Sequence, residues 1–171
     1  MSAYAPLIDL AELAPGDGYF VLGARRAGGS GWSVTAGDFT RNHLADLPIG
    51  SPVAAGGRGV AHVLLGAETA PAGPVELAAL APPAGYGLTG PEPETNLGTR
   101  GLAGDLNGDG VDDLIVASHI ADGHEVDSGT VYVVFGRRGA EPSTLDLGAL
   151  DGSNGFRIEG HAPAGSLGAA T

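Results

Sequence analysis

The chain has 171 residues with no cysteine, 31 glycines and 12 prolines, and its 8 basic and 20 acidic residues give a net charge of −12. This length suffices for one domain with a core. The glycines and prolines favour short elements joined by turns. Because the chain has no cysteine, disulfides and thiolate metal sites are excluded. So acidic a chain is a poor partner for nucleic acid or anionic membranes; the acidity favours divalent cations or serves plain solubility.

The N-terminal stretch shows no export signal and one internal likeness. Residues 1–9 lack the basic and then apolar pattern of a cleaved secretion signal. Residues 6–10 resemble the later stretch Leu145-Asp146-Leu147, which lies in a long connection over residues 136–153. No apolar run reaches transmembrane length, so we expect no membrane insertion.

The chain repeats itself at an interval of 67 residues. This shift aligns residues 18–23 with 85–90, 37–38 with 104–105 and 46–47 with 113–114. When three more residues are allowed in the second copy, residues 59–66 align with 129–136. A third copy starts at residues 155–160. Such a period indicates stacked or radially arranged supersecondary units. We expect a single domain, 1–171, with repeat one at 24–90, repeat two at 91–160 and partial units at 1–23 and 161–171.

Repeat two predicts an all-β unit of four antiparallel strands. β-Branched and aromatic runs bounded by glycine place strands at residues 99–104, 113–118, 130–135 and 156–159. The connections carry the turn residues: Glu92, Pro93 and Glu94 in one loop and residues 123–129 in another.

Residues 105–113, the second acidic loop, predict a calcium site. Ca²⁺ takes six to eight oxygen ligands, and alternate residues of a tight loop point theirs inward. Gly110 permits the sharp turn that brings a main-chain carbonyl to the ion. The predicted ligands are the side chains of Asp105, Asn107, Asp109 and Asp113 and the carbonyl of Val111.

The second acidic loop shares features with an EF-hand and with an ordinary hairpin turn. The loop opens like an EF-hand, but that motif needs Glu at position twelve, where this chain has Val116 at the start of a strand. The alternative is a hairpin turn rich in Asn, Asp and Gly, since those residues also serve tight turns. Because closely spaced carboxylates repel without a cation, we favour the metal site.

Residues 38–46, the first acidic loop, are a degenerate copy. Asp38 and Asp46 are kept, Thr40 and Asn42 replace stronger ligands, and His43 stands where the turn needs glycine. We expect both the lost carboxylate and the lost turn geometry to weaken calcium binding there.

These motifs resemble FG-GAP repeats, which form the blades of integrin α-subunit β-propellers and occur in many bacterial secreted proteins. The resemblance rests on Asp-x-Asn-x-Asp-Gly-x-Asp-Asp-Leu at residues 105–114, Val-Phe-Gly at 134–136 and Gly-Phe-x-Ile-x-Gly at 155–160. It implies β-propeller blades of four antiparallel strands and a calcium ion in the hairpin loop between the first two strands of a blade.

The ring expected of a propeller is incomplete in this sequence. Residues 18–23 correspond to a lone fourth strand and residues 166–171 to a lone first strand, whereas propellers have four to eight blades. Either the chain is the front part of a longer propeller, which we favour, or several copies complete one another. We expect both segments to pair with further chain.

The remaining motifs are interpreted as turns, polar loops or core residues and not as functional sites. Residues 85–90 read G-x-G-x-x-G, but Pro91 and Pro93 follow, so we expect a repeat turn and no dinucleotide site. A polar loop is favoured over a zinc site for the group His119, Asp122, His124, Glu125 and Asp127. No G-x-S-x-G elbow is present, and Trp32 and Tyr132 are expected in the core.

The resemblance implies a calcium-stabilised, non-catalytic extracellular module for structure, adhesion or protein binding, secreted or at the cell surface. Its partners would be a protein or glycan surface, or further copies or segments that complete the propeller. The alternatives are the propeller portion of a secreted carbohydrate-active or other hydrolytic enzyme, and an accessory structural subunit of a larger assembly. Fold alone does not choose among them.

Overall fold

A computed structural model describes residues 10, 13–14, 17–91, 96–138 and 143–169. Throughout this part of the chain the regular structure is β, with short 3₁₀ turns at Leu77–Ala79 and Leu147–Ala149, a tight turn with left-handed residues at Ala54–Gly57 and no α-helix. The strands are β1 Val21–Leu22, β2 Leu47–Ser51, β3 Val60–Leu64, β4 Val75–Glu76, β5 Gly85–Thr89, β6 Arg100–Gly104, β7 Asp113–Ser118, β8 Thr130–Val134, β9 Thr144–Asp146 and β10 Gly155–Glu159. The predicted all-β class is confirmed.

The second sheet, in the order β6, β7, β8, β10, is the predicted four-stranded antiparallel unit. Its strand bounds agree with the sequence prediction to within one residue at each end. The agreement has a local cause, because β-branched and aromatic residues favour strands, and Leu114, Val116 and Tyr132 of these runs are buried in the core. Tyr132, with 3 % of its surface exposed, lies in the core as predicted.

The first sheet, in the order β2, β3, β5, β9, follows the same plan with two differences. In place of a regular first strand, residues 34–37 make two antiparallel bridges, Val34 to Ile49 in β2 and Gly37 to Asp46 just before β2. At the opposite edge, β9 of repeat two pairs in parallel with β5 of repeat one. The two sheets share a core of residues from both repeats, including Val63, Leu88, Leu114 and Leu147.

The parallel pairs β5–β9 and β1–β4 were not predicted. Gly87 donates its amide to the Ser143 carbonyl (3.0 Å), and Val75 donates to the Phe20 carbonyl (2.9 Å). The segment β9 of repeat two thus closes the outer edge of the first sheet, and β4 of repeat one pairs in the same way with β1 in a separate two-stranded sheet. Residues 18–23 are therefore not a lone strand, since Val21 and Leu22 pair with β4 inside this chain.

A buried leucine follows each of these closing strands. Leu77 comes directly after β4 and Leu147 directly after β9, each at the start of a 3₁₀ turn, with 2 % and 0 % exposure. A fully buried leucine is stabilised by about 1.5–3 kcal/mol relative to an exposed one. The closing segments thus hold the sheets by apolar packing as well as by main-chain hydrogen bonds.

Three predictions need correction. Residues 85–89 are strand β5 and not a turn, since each residue pairs with β3. Trp32 is 62 % exposed and not in the core. Residues 166–169 form a turn and not a strand, because Leu167 donates its amide to Ser128 and Ala169 donates back to Ser166.

Glycine is required where that turn meets the sheet. A Cβ on Gly129, at φ 83°, would lie 2.4 Å from the main chain of Leu167, and one on Gly59, at φ 76°, would lie 2.3 Å from that of Leu97. The same close approach therefore occurs in both repeats. Residues 6–9, Glu92, Pro93, Glu94, Ala170 and Thr171, for which the sequence made predictions, lie outside the described residues.

No helix in the part of the chain that the structure describes has the length and apolar character needed to cross a membrane.

Leu147→Ala tests the closing segment. We expect it to lower the free energy of unfolding by about 2–5 kcal/mol, because it leaves a cavity between the repeats. The matched control is Leu10→Ala at the same repeat position, where the side chain is 64 % exposed and a change within about 0.5 kcal/mol is expected. Urea unfolding measures both; equal effects would contradict the packing role of Leu147.

His62→Gln tests a buried histidine. Burial in β3 lowers the pKa of His62 below its ordinary 6.5, and its Nδ1 is buried without a hydrogen-bond partner. Since the unfolded chain then takes up the proton first, stability should fall as the pH drops below about 6.5. The variant should lose part of this dependence in urea unfolding, whereas His124→Gln on an exposed loop should keep it; identical pH profiles would contradict the assignment.

Candidate metal centre

Asp105 organises the second acidic loop through main-chain hydrogen bonds. Its Oδ1 accepts the amides of Gly108 (2.7 Å) and Asp109 (3.1 Å), and its Oδ2 accepts that of Gly110 (2.9 Å). Three successive amides folded back on one carboxylate define a tight turn. Asp105 therefore shapes the loop whether or not an ion is bound.

Asn107 and Asp109 complete the exposed part of the loop. Asn107 Oδ1 accepts the Asp109 amide (2.9 Å), and Asn107 Nδ2 donates to Asp109 Oδ2 (3.0 Å). Asp109 Oδ1 accepts the amide of Val111 (2.8 Å), which is 6 % exposed. The structure thus brings Asp105, Asn107, Asp109 and Val111 together in one turn.

Asp113 differs from the other predicted ligands because it is fully buried. Its Oδ2 accepts the amide of Leu106 (2.9 Å) and its Oδ1 accepts that of Gly136 (3.0 Å). Gly136 lies just beyond β8, so this carboxylate links the loop to the end of the strand that neighbours β7 in the sheet. A role in holding the loop was not predicted for Asp113; its burial is the observation that reveals it.

Asp46 makes the same two bonds in the first acidic loop. It is fully buried, and it accepts the amides of Phe39 (2.9 Å) and Gly66 (2.8 Å). Burial raises the pKa of the Asp46 carboxyl above its ordinary value, against the opposing effect of those amides. The contribution of this group to stability is therefore greatest at low pH and declines as the pH rises through the raised pKa.

The first acidic loop keeps the turn that the sequence predicted to be lost. His43 adopts φ 66° where Gly110 has 81°, and Arg41 adopts φ 56° where Gly108 has 78°. Asp38 accepts the amides of residues 42 and 43 just as Asp105 accepts those of residues 109 and 110. The two loops therefore share a backbone conformation and differ in their oxygen donors.

The two acidic loops also touch each other. Asp112 Oδ2 accepts the Asp38 amide (2.9 Å), and the Asp112 amide donates to the Asp38 carbonyl (3.2 Å). Arg41 extends from the first loop to donate to the Asp109 carbonyl of the second (3.4 Å). This guanidinium adds positive charge beside the acidic turn.

The donor set of the second loop suits a hard cation. Among the described residues no three acidic or histidine side chains converge to hold a metal by themselves, so a cage needs the Asn107 amide and a main-chain carbonyl as well. A carboxylate oxygen has two lone pairs, so one hydrogen bond leaves a second pair for an ion. Asp105 Oδ2, Asn107 Oδ1 and both Asp109 oxygens each accept one bond, and all are oxygen donors of the kind that Ca²⁺ prefers.

The histidine-rich loop is organised by other contacts. His119 Nδ1 lies 3.3 Å from Thr99 Oγ1, and Asp122 Oδ1 accepts the Asp127 amide (3.0 Å). The ring of His124 contacts that of His161, with centroids 4.1 Å apart. The zinc alternative gains no support from this arrangement.

Residues 97–134 match the family model of the FG-GAP repeat. The match spans β6, the second acidic loop, β7 and β8, so the resemblance drawn from the motifs is confirmed for this segment. No curated protein matches the chain.

Asp113→Ala tests the buried carboxylate apart from any metal. In a chelating buffer we expect the free energy of unfolding to fall by about 1–3 kcal/mol, because the amides of Leu106 and Gly136 lose their acceptor. Asp109→Ala, on the exposed part of the loop, is the control and should cost less. If the two variants are equally stable in chelator, Asp113 has no separate role in the fold.

Proposed function

We propose that this chain is a calcium-stabilised, non-catalytic extracellular module built of β-propeller blades, serving structure, adhesion or protein binding. The observation that carries the proposal is the FG-GAP match over a sheet whose hairpin loop presents oxygen donors on alternate residues. The likeness to integrin α-subunits and to bacterial secreted proteins, drawn from the motifs, supports a secreted or cell-surface location.

The propeller arrangement is supported by the way the two sheets repeat and adjoin. Three corresponding strands follow in the same order in both sheets, β2, β3 and β5 in the first and β7, β8 and β10 in the second. The first sheet adjoins the segment that leads into β6, where Ser33 Oγ donates to the Gly98 carbonyl (2.8 Å). A Cβ on Gly50 would collide with that same carbonyl, so the approach is close. Repetition of this contact around an axis would generate a ring of blades.

The residues proposed to hold calcium are Asp105, Asn107, Asp109, the Val111 carbonyl and Asp113. When bound, the ion offsets the repulsion among the carboxylates and stabilises the folded form by mass action. The chain itself supplies the preformed turn, because main-chain amides already fix the orientation of Asp105 and Asp109. In this proposal the loop supports a rigid surface and performs no chemistry.

Asp109→Ala tests the calcium site. Calorimetric titration of the chelated chain should show one tight site that this variant removes, and calcium should raise the melting temperature of the unaltered chain only. Mg²⁺ should substitute poorly, because it requires a tighter octahedral geometry. The matched control is Asn42→Ala at the equivalent position of the first loop, which should leave binding unchanged.

Two equal sites, or a melting curve that is the same in calcium and in chelator, would contradict the proposal. The proposed location is tested separately, by protease accessibility of the tagged protein on intact cells and in the culture medium.

A further inference from the structure

Trp32, the single tryptophan of the chain, lies at a cavity where the two repeats adjoin. The 67-residue shift aligns it with Thr99, the residue before β6, and the bond from Ser33 to the Gly98 carbonyl joins the two segments. The indole is 62 % exposed. The cavity, of about 150 Å³, is lined by Trp32, Thr99, Arg100, His119, Gly168 and Ala169.

The cavity is basic, although the chain as a whole carries a net charge of −12. Arg100 and His119 are its ionisable side chains, and none of the described residues that line it is acidic. Arg100 Nη1 donates to the Thr99 carbonyl (2.8 Å), its Nε is buried without a hydrogen-bond partner, and no described carboxylate forms an ion pair with it. Because a guanidinium has five N–H donors, donors remain for an anion.

His119 adds a hydrogen-bond acceptor to the cavity. Thr99 Oγ1 donates to the Ala117 carbonyl (3.3 Å) and lies 3.3 Å from His119 Nδ1. Since the hydroxyl proton is directed to Ala117, the hydroxyl oxygen accepts from Nδ1–H. Neutral His119 therefore has Nε2 as an acceptor, which suits a ligand hydroxyl.

These three side chains together fit an acidic sugar. The exposed indole supplies a flat apolar surface for the C–H face of a sugar ring, and the planar guanidinium binds a carboxylate through two parallel hydrogen bonds. His119 accepts a bond from a ring hydroxyl. A phosphate group carries a charge of about −1.5 to −2, which one guanidinium neutralises only in part, so a singly charged carboxylate is the better match.

We propose that this cavity binds a uronic acid residue of an acidic glycan, with the sugar ring on Trp32 and the carboxylate on Arg100. The inference rests on the proposed function and deepens it, because it names a partner and a site for the binding module. Arg100 begins β6, and the second acidic loop follows the other end of that strand. Glycan binding therefore does not require an ion in the loop.

Trp32 fluorescence measures binding at this site directly, because the chain has no other tryptophan. Titration with oligomers of galacturonic or of glucuronic acid should change the emission along a saturating curve. The neutral galactose and glucose oligomers, which lack the carboxylate, should bind at least about tenfold more weakly. Added salt should weaken uronate binding, since the contact is between charges.

Two variants separate the parts of the site. Arg100→Gln should weaken uronate binding at least about tenfold and bring it close to that of the neutral sugar. Trp32→Ala, at an exposed position that does not hold the fold, should weaken both sugars several-fold in calorimetric titration. The matched control is Arg138→Gln, an exposed arginine beyond β8 at the opposite end of the sheet, which should bind like the unaltered chain.

Binding of neither uronate, equal binding of charged and neutral sugars, or equal losses in Arg100→Gln and Arg138→Gln would overturn the proposal. So would tighter binding of an acidic peptide such as hexaglutamate, which would indicate a protein partner instead. Measurements in calcium and in chelator keep this inference apart from the proposed function. Calcium binding without uronate binding contradicts only the glycan site, and uronate binding without any effect of calcium contradicts only the calcium proposal.

Discussion

The buried carboxylate at the end of each acidic loop is the interaction on which the rest of the structure depends. Asp46 and Asp113 each join the start of the loop to a glycine just beyond the neighbouring strand, Gly66 after β3 and Gly136 after β8. One fully buried side chain thereby fixes the loop, the residue that ends it and the end of a neighbouring strand. A buried charge is costly unless its lone pairs are satisfied, so the amides around it have to be in place for the sheet to close.

Because the buried aspartate makes the same hydrogen bonds in both repeats, the sequence of the loop that it holds can vary. The first loop holds its turn with Arg41 and His43 in left-handed conformations, and the second uses glycines at the same points. Left-handed backbone is costly for residues other than glycine, and here the hydrogen bonds to Asp38 compensate. The oxygen donors of the loop can therefore differ between repeats while the backbone conformation stays the same.

The sequence predicted the strands of the second sheet because a β-branched apolar run bounded by turn residues is a local signal, as in Leu114 to Val116. It did not predict β4 and β9, which have two and three residues and owe their pairing to a partner in another repeat. The candidate loop was found from its spacing, but the spacing did not show that Asp113 is buried and accepts the amide of Gly136, 23 residues away in the chain. Trp32 was misplaced because residue type indicates the core only where the neighbouring sheet covers the position.

Because a strand of the later repeat closes the edge of the earlier sheet, the order in which the chain is synthesised affects which edges are open. A ribosome releases β5 well before β9, so the first sheet leaves the ribosome with an open edge that only later chain can close. Open edges are the sites at which nascent chains join the wrong neighbours. Each repeat thus protects the one made before it, and an interruption of translation between repeats would leave a product whose last sheet is ready to capture a foreign strand.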